Sequence, residues 1–390
     1  MEQKVTRLPV GRVARPQKKK RRGGIDAIFL VLVLVLLCIG LVMMFSASYA
    51  SAYYYEGNSF FYITKQLQFA LIGLAGMFFL SVLDYHIFHR LVVPIFIGTT
   101  GLLILPRLMA PIAGVYRWIY IPGVGTFQPT EIAKFALVIC FAHIVSLNYK
   151  RIKEVRYGLV PFLLVIGTFL AITLGLQRHV SASIILFTMA ACLMIIGGSN
   201  KKWLLAGVAM AIALGAVLVF FTDFLQHVMP RIEGWIDPFS DVQGSTYQTA
   251  QSLIAIGSGG LMGLGPGNSK QKYLYIPEPQ NDFVFAVVCE ELGWVGATLI
   301  ILLFALLVWR GFVIAMRAGD KFGSMIAVGI TLQLAIQTLL NIAVVTNTFP
   351  NTGISLPFFS YGGTALCMLL GEMGVVLSVS REAVLQKAQN

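Results

Sequence analysis

Charge is what this chain has least of. Only 12% of its 390 residues are Asp, Glu, Lys or Arg, where a soluble protein carries roughly a quarter. With 57% hydrophobic residues and a mean hydropathy of +0.80, it cannot present polar surface to water on all sides. That excludes a disordered chain and a secreted globular enzyme. Cysteine is scarce as well. Cys38, Cys140, Cys192, Cys289 and Cys367 all fall inside apolar runs, so they read as small hydrophobes, not as a disulfide scaffold or a thiolate metal site. The histidines His86, His89, His143, His179 and His227 do not cluster by topology, which argues against a metal centre. Period-two alternation is missing, so barrel strands are excluded, and no repeat stands at solenoid spacing.

What remains is a series of long apolar runs. Candidate spans lie at 27–46, 68–83, 91–108, 130–147, 157–175, 180–198, 203–222, 283–309, 323–345 and 356–380. The expected fold is an all-α polytopic membrane protein of about ten transmembrane helices. The basic run Lys18-Lys19-Lys20-Arg21-Arg22 precedes the first span and reads as a cytoplasmic flank drawn to anionic membrane lipids. No basic fold follows it, so a nucleic-acid partner is not expected. The first span is too long and apolar for a cleaved signal and is read as retained. Counting Lys and Arg loop by loop puts the excess on the side of the N-terminus, which places both termini in the cytoplasm.

The layout is then a basic cytoplasmic tail (1–26), helices 1–7 (27–222), a large extracytoplasmic loop between helices 7 and 8 (223–282), helices 8–10 (283–380) and a second cytoplasmic tail (381–390). The loop is too long to be a mere connection. It carries apolar stretches that would pack on the helices, and a glycine-rich run from Gly257 to Gly267 that permits tight turns and close approach to a ligand. That run is no phosphate loop, because no Gly-Lys-Ser/Thr follows it.

Ionisable groups at membrane depth are costly, so they carry the information. Glu131 and Lys134 follow Gln128-Pro129-Thr130 and share a helix face one turn from the outer end. A helix-stabilising ion pair and a substrate site are both open readings there. Trp118, beside Arg117, reads alone as an interfacial anchor. Asp282, in Pro277-Glu278-Pro279-Gln280-Asn281-Asp282, is either the N-cap of helix 8 or a carboxylate facing a cavity. Lys134 stands at similar depth and could hold it ionised. Glu290 and Glu291, about two turns into helix 8, read as polar contacts between helices. The stretch from Asn351 to Thr364, with Pro357, Ser360 and a Gly pair, implies irregular backbone against a wet cavity.

Together, 251–267, 277–293 and 350–363, with Arg117-Trp118-Ile119 and Gln128 to Lys134, resemble the SEDS family (shape, elongation, division and sporulation), in its FtsW/SpoVE branch. The likeness runs from about Asp26 to Arg381. It implies a peptidoglycan glycosyltransferase that polymerises lipid II at the outer face of the bacterial cytoplasmic membrane, at the division septum. The partners it implies are a class B penicillin-binding protein, which supplies transpeptidation, and other division proteins. The family's essential aspartate falls on Asp282, its helix-4 basic residue, placed to pair with that aspartate, on Lys134, the matching acid on Glu131, and its Arg-Trp motif on Arg117 and Trp118. Lys270, Lys272, Gln280 and Ser360 complete the expected substrate contacts. Many members have Gln-Pro-Asp or Gln-Pro-His where this chain has Gln177-Arg178-His179. Asp282 is expected to act as base while cations balance the diphosphate. The chemistry leaves room for Mg or Mn, with no all-protein cage in view. The rivals are a flippase for a lipid-linked precursor, favoured by Glu290 and Glu291, and a noncatalytic division scaffold.

Overall fold

The computed structural model describes residues 23–387 apart from 113, 124, 201, 204–206, 208–223 and 245. Almost all of the expected seventh span and of the N-terminal tail lies outside these residues. Among those described, seven helices are long and apolar enough to cross a membrane, and two more, Val92–Leu108 and Val180–Ile196, are apolar but shorter. This is a membrane protein.

Helix α1 (Ala27–Glu56) starts where Asp26 accepts a hydrogen bond from the Phe29 amide, and it stops at Gly57 in a left-handed conformation. At 1.5 Å per residue its length is about 45 Å, well beyond the roughly 30 Å hydrocarbon layer. Its far end carries the exposed Tyr53, Tyr54 and Tyr55, the kind of aromatic belt that marks a membrane boundary. Asp26 also pairs bidentately with Arg310, at 2.6 to 3.1 Å. Helices α2 (Phe61–Val82), α3 (His86–Arg90) and α4 (Val92–Ile104) follow. A hairpin of β1 (Ile119–Ile121) and β2 (Gly125–Phe127) departs from the all-α expectation. It leads into α5 (Pro129–Asn148), which Pro129 opens at a position where a missing N–H costs nothing.

Beyond α6 (Val160–Leu170) and α7 (Val180–Ile196), the large loop is not loose. It forms α8 (Phe224–Ile236) and α9 (Tyr247–Gly259), and α9 packs on α10 (Val284–Met316). Helix α11 (Lys321–Val345) sits deep in the bundle beside α5, α7 and α10. The last helix, α12, spans Gly363–Lys387. It starts seven residues later than the sequence suggested, because residues 351–362 are not helical. Helix α12 packs most extensively on α2, where Gly374 faces the Met77 carbonyl so closely that a Cβ would lie 2.4 Å from it.

Helix α10 is two helices. Gly293, at φ 67° and ψ −169°, interrupts it, and backbone groups freed in a membrane must find new partners. The glycine-rich run supplies them. Leu264 and Gly265 donate to the carbonyls of Glu290 and Glu291, and Trp294 and Val295 donate to those of Gly260 and Leu261, all at 2.9 to 3.1 Å. A Cβ on Gly263 would lie 2.1 Å from the Glu291 carbonyl. The close approach expected of these glycines is thus made to another stretch of backbone.

Candidate active site

Helix α11 carries Gln333, Gln337 and Asn341 at four-residue spacing, one polar stripe on a single face. Asn341 Nδ2 donates to the Ile354 carbonyl at 2.6 Å and the Asp282 carbonyl at 2.8 Å. It thereby ties the start of α10 to the irregular segment 351–362. The Gln337 amide donates to Ser355, and its Oε1 accepts from Lys134 Nζ at 2.9 Å. Lys134 also pairs with Glu131 at 2.8 Å. The irregular segment is braced from other sides as well. Gln66 of α2 donates to the Ser360 carbonyl and accepts from the Gly362 amide, each at 3.2 Å. Ser360 Oγ takes the Leu356 amide at 2.7 Å.

Asp282 is the exception in this network. Its backbone is held, but among the described residues its half-buried carboxylate accepts no hydrogen bond and joins no ion pair. Gly353, at φ +66°, lies against it, so close that a Cβ there would sit 3.0 Å from Oδ2. Burial, and then the charge of Glu278, push the Asp282 carboxyl up to about 6, while Arg231 pulls the other way. It is therefore largely ionised at neutral pH yet a stronger base than an ordinary aspartate.

Two clefts open around this frame, with Glu131, Gln337 and Ser355 in the wall of both. One, of about 350 Å³, also has Gln128, Lys134, His179 and Gly353 in its lining. The other, of about 400 Å³, runs past Gln333, Ser360 and Tyr361 to the apolar Leu366 and Leu369. Three cations act on His179 in the first. Burial, with Arg117, Lys134 and Arg231, holds His179 neutral by driving its imidazole down to about 3. Arg117 is itself lowered by burial and by the charge of Arg231.

A second lysine–glutamate pair lies apart from the clefts. Lys272 Nζ meets Glu291 at 2.9 Å, Ser46 Oγ at 3.1 Å and the Gly267 carbonyl at 2.6 Å. Glu290 accepts from Ser269 Oγ and from the Lys270 amide, the latter at 2.9 Å.

The family model described as "Cell cycle protein", for FtsW, RodA and SpoVE, matches residues 26–385. The chain belongs to the FtsW/RodA/SpoVE family. It is 39% identical to "Stage V sporulation protein E" of Bacillus subtilis (strain 168), over 91% of this chain and 97% of that one. It is 36% identical to a "Probable peptidoglycan glycosyltransferase FtsW" of Geobacter sp. (strain M18), over 93% and 98%. The fold matches the rod shape determining protein RodA of Thermus thermophilus (TM-score 0.67, 25% identity, 92% of this chain and 97% of that one). It also matches a chain of a peptidoglycan synthase complex (TM-score 0.75, 24% identity, 92% and 98%).

Of the residues singled out from the sequence of this FtsW/RodA/SpoVE member, the structure puts Glu131 and Lys134 in the wall of one cleft, with Asp282 against its lining residue Gly353. It does not pair Lys134 with Asp282, since Lys134 is bonded to Glu131 and Gln337. Arg117 joins from the side, its Nη2 donating to the Arg178 carbonyl at 2.7 Å. Four expected contacts are relocated. Lys272 is buried in its own ion pair and lines neither cleft. Gln280 is buried, bonded by Ser51 and, at its carbonyl, by the Tyr361 amide. Trp118 leads into the hairpin and lines neither cleft. Ser360 lines the second cleft, its hydroxyl oxygen accepting from the Leu356 amide. Lys270 stays exposed. Sequence reasoning missed Arg231, Gln337 and Asn341, and also Glu372, which is buried in α12 against the Gln333 amide at 2.8 Å. The four-residue polar spacing in an apolar helix was the available signal for the α11 pair, as was an acid inside the last span for Glu372.

Proposed function

We propose that this chain is a peptidoglycan glycosyltransferase that polymerises lipid II. The observation that carries the reading is Asp282: an unpaired carboxylate with raised basicity, beside a cation-rimmed cleft at the end of the bundle that bears the tyrosine belt of α1. That is where a lipid-linked sugar can keep its chain in the bilayer and its headgroup at the boundary. The relatives named peptidoglycan glycosyltransferase support the same activity.

In the reaction, a sugar hydroxyl of the acceptor attacks the anomeric carbon of the donor. Asp282 takes the hydroxyl proton as the new C–O bond forms, and the bond to the diphosphate breaks with its electron pair leaving on oxygen. A diphosphate is a good leaving group and has little need of the second, acid carboxyl found in glycoside hydrolases. Lys134, Arg117 and the exposed Lys270 are the cations proposed to balance charge. Glu278, the exposed carboxylate whose charge acts on Asp282, is the residue that would hold a Mg or Mn ion, which would supply charge neutralisation while Asp282 stays free as the base.

The Asp282 end is assigned to the outer face of the bacterial cytoplasmic membrane, both termini to the cytoplasm, and the place of work to the division septum. Arg310, Arg317, Lys321 and Arg381 at the opposite end of the bundle support that orientation. The proposed partners are a class B penicillin-binding protein and other division proteins. The likeness in fold to a chain of a peptidoglycan synthase complex is compatible with this. Transport loses its best argument, because Glu290 and Glu291 are committed to pinning the loop.

The test is polymer formation from lipid II by the purified protein with its transpeptidase partner. Wild type should make glycan strands and a folded Asp282→Asn variant should make none. Leaflet-to-leaflet movement of lipid II without polymer would reassign the protein to transport.

A further inference from the structure

The chain enters α7 through the outer turn Gln177-Arg178-His179. Arg178 takes a left-handed backbone conformation, φ 50°, and its carbonyl accepts from Arg117. His179 is the cap residue of α7, and no side chain caps the helix there. The first amides of a helix this long have no partner within it and concentrate partial positive charge. A helix end alone binds nothing in particular, but a second feature points the same way. His179 is only 7% exposed, it lines the cleft that reaches Gly353 and hence Asp282, and its Nδ1 has no hydrogen-bond partner. The Nε of Arg117 is likewise buried without a partner.

Around this turn the charges are one-sided. Arg117 grips it from one side, Lys134 lies in the cleft wall, and Arg231 reaches the Asn351 carbonyl at 3.3 Å, two residues before Gly353. Arg231 is close enough to disfavour the charge on Arg117. Of the acids in reach, Glu131 is already paired with Lys134 and Asp282 is held for the reaction. A neutral imidazole with one donor to offer, uncapped helix amides and two guanidiniums with N–H groups to spare make a site that is short of one thing, a multiply charged anion.

We infer that the N-terminal turn of α7, with His179, Arg117 and Arg231, is the cradle of the donor's diphosphate. This rests on the glycosyltransferase reading and deepens it. It moves the leaving group away from the loop lysines, one of which is consumed structurally, and sets it across Gly353 from the base. In this cradle His179 must stay neutral and polar. An aspartate at position 179 would oppose the bound anion.

The test measures binding directly. Full-length protein in detergent micelles is titrated calorimetrically with farnesyl diphosphate, farnesyl monophosphate and inorganic pyrophosphate, and with phosphatidylglycerol as competitor. Farnesyl diphosphate should bind at least tenfold more tightly than the monophosphate, with phosphatidylglycerol a poor competitor. His179→Asp should weaken diphosphate binding tenfold or more, Arg231→Gln severalfold, and His179→Gln should stay near wild type. Arg231 is exposed, so its variant keeps the fold and reads the site even where His179→Asp does not. Asp282→Asn should bind the diphosphate as wild type does. Wild-type affinity in folded His179→Asp and Arg231→Gln overturns the cradle, as does equal competition by phosphatidylglycerol, which would mark a lipid-headgroup site. Polymer made by wild type together with unchanged binding in those variants sinks the cradle alone. Binding as expected with no polymer from wild type sinks the enzyme reading alone.

Discussion

Among the described residues two lysine–glutamate pairs sit in this bundle, and from sequence both lysines are expected substrate contacts. Lys134–Glu131 closes at 2.8 Å and Lys272–Glu291 at 2.9 Å. The difference is in what surrounds them. An ammonium has three hydrogens to place. Lys272 places all three, on Glu291, Ser46 and Gly267, and its pair is shut in, with side-chain exposures of 3% and 0%. Lys134 has two acceptors, Glu131 and Gln337, and its pair borders a cleft, with Glu131 14% exposed. A saturated pair holds the fold. An unsaturated one has a hydrogen left for a ligand.

The comparison can be broken by experiment. The largest effect belongs to neither pair and sets the scale: Asp282→Asn should cost about 10² to 10⁴ in polymerisation rate, the range for loss of a general base, with the thermal unfolding midpoint unchanged. Next, Lys272→Met leaves Glu291 charged and enclosed, which should cost about 3–5 kcal/mol of stability, seen as loss of monodisperse protein on size exclusion. Lys134→Met should lose less stability, about 1–2 kcal/mol, because water can reach Glu131, while activity falls more than tenfold. If the two lysine variants behave alike, the distinction fails. Gly263→Ala should destabilise the loop by roughly 1–3 kcal/mol through its left-handed conformation and the Glu291 carbonyl. Smallest is the pH effect. Asp282 acts as base only when ionised, and its carboxyl is pushed up to about 6. Rate should therefore be full well above pH 6 and fall as pH drops through it. A profile flat down to pH 5 would argue against the aspartate as base.

Much of the architecture was legible because apolar runs and lysine placement are local signals. Span ends were misjudged where polarity and helicity part company. Helix α1 runs on through tyrosines to Glu56, and α12 waits until Gly363 because hydrogen bonds from Gln66, Asn341 and Gln337 hold the preceding segment out of a helix. The hairpin was illegible, being only three residues per strand. At the site, Asp282 and the Glu131–Lys134 pair could be found as charges at costly depth. Whether Lys272 or Lys134 was free to act could not, since the answer lies in residues hundreds of positions away, such as Ser46. Arg231 was hidden for a simpler reason: an arginine in a long loop carries no signal until the loop is folded back onto the helices.

The break at Gly293 has a mechanical side. A straight rod clamped in the bilayer would carry any tilt of its lipid-facing part directly to Asp282. Here both pieces are stitched to the glycine-rich run on either side of Gly293, the upper through the Glu290 and Glu291 carbonyls and the lower through the Trp294 and Val295 amides. A tilt of the lower shaft would meet that seam of loop backbone before it met the reacting carboxylate.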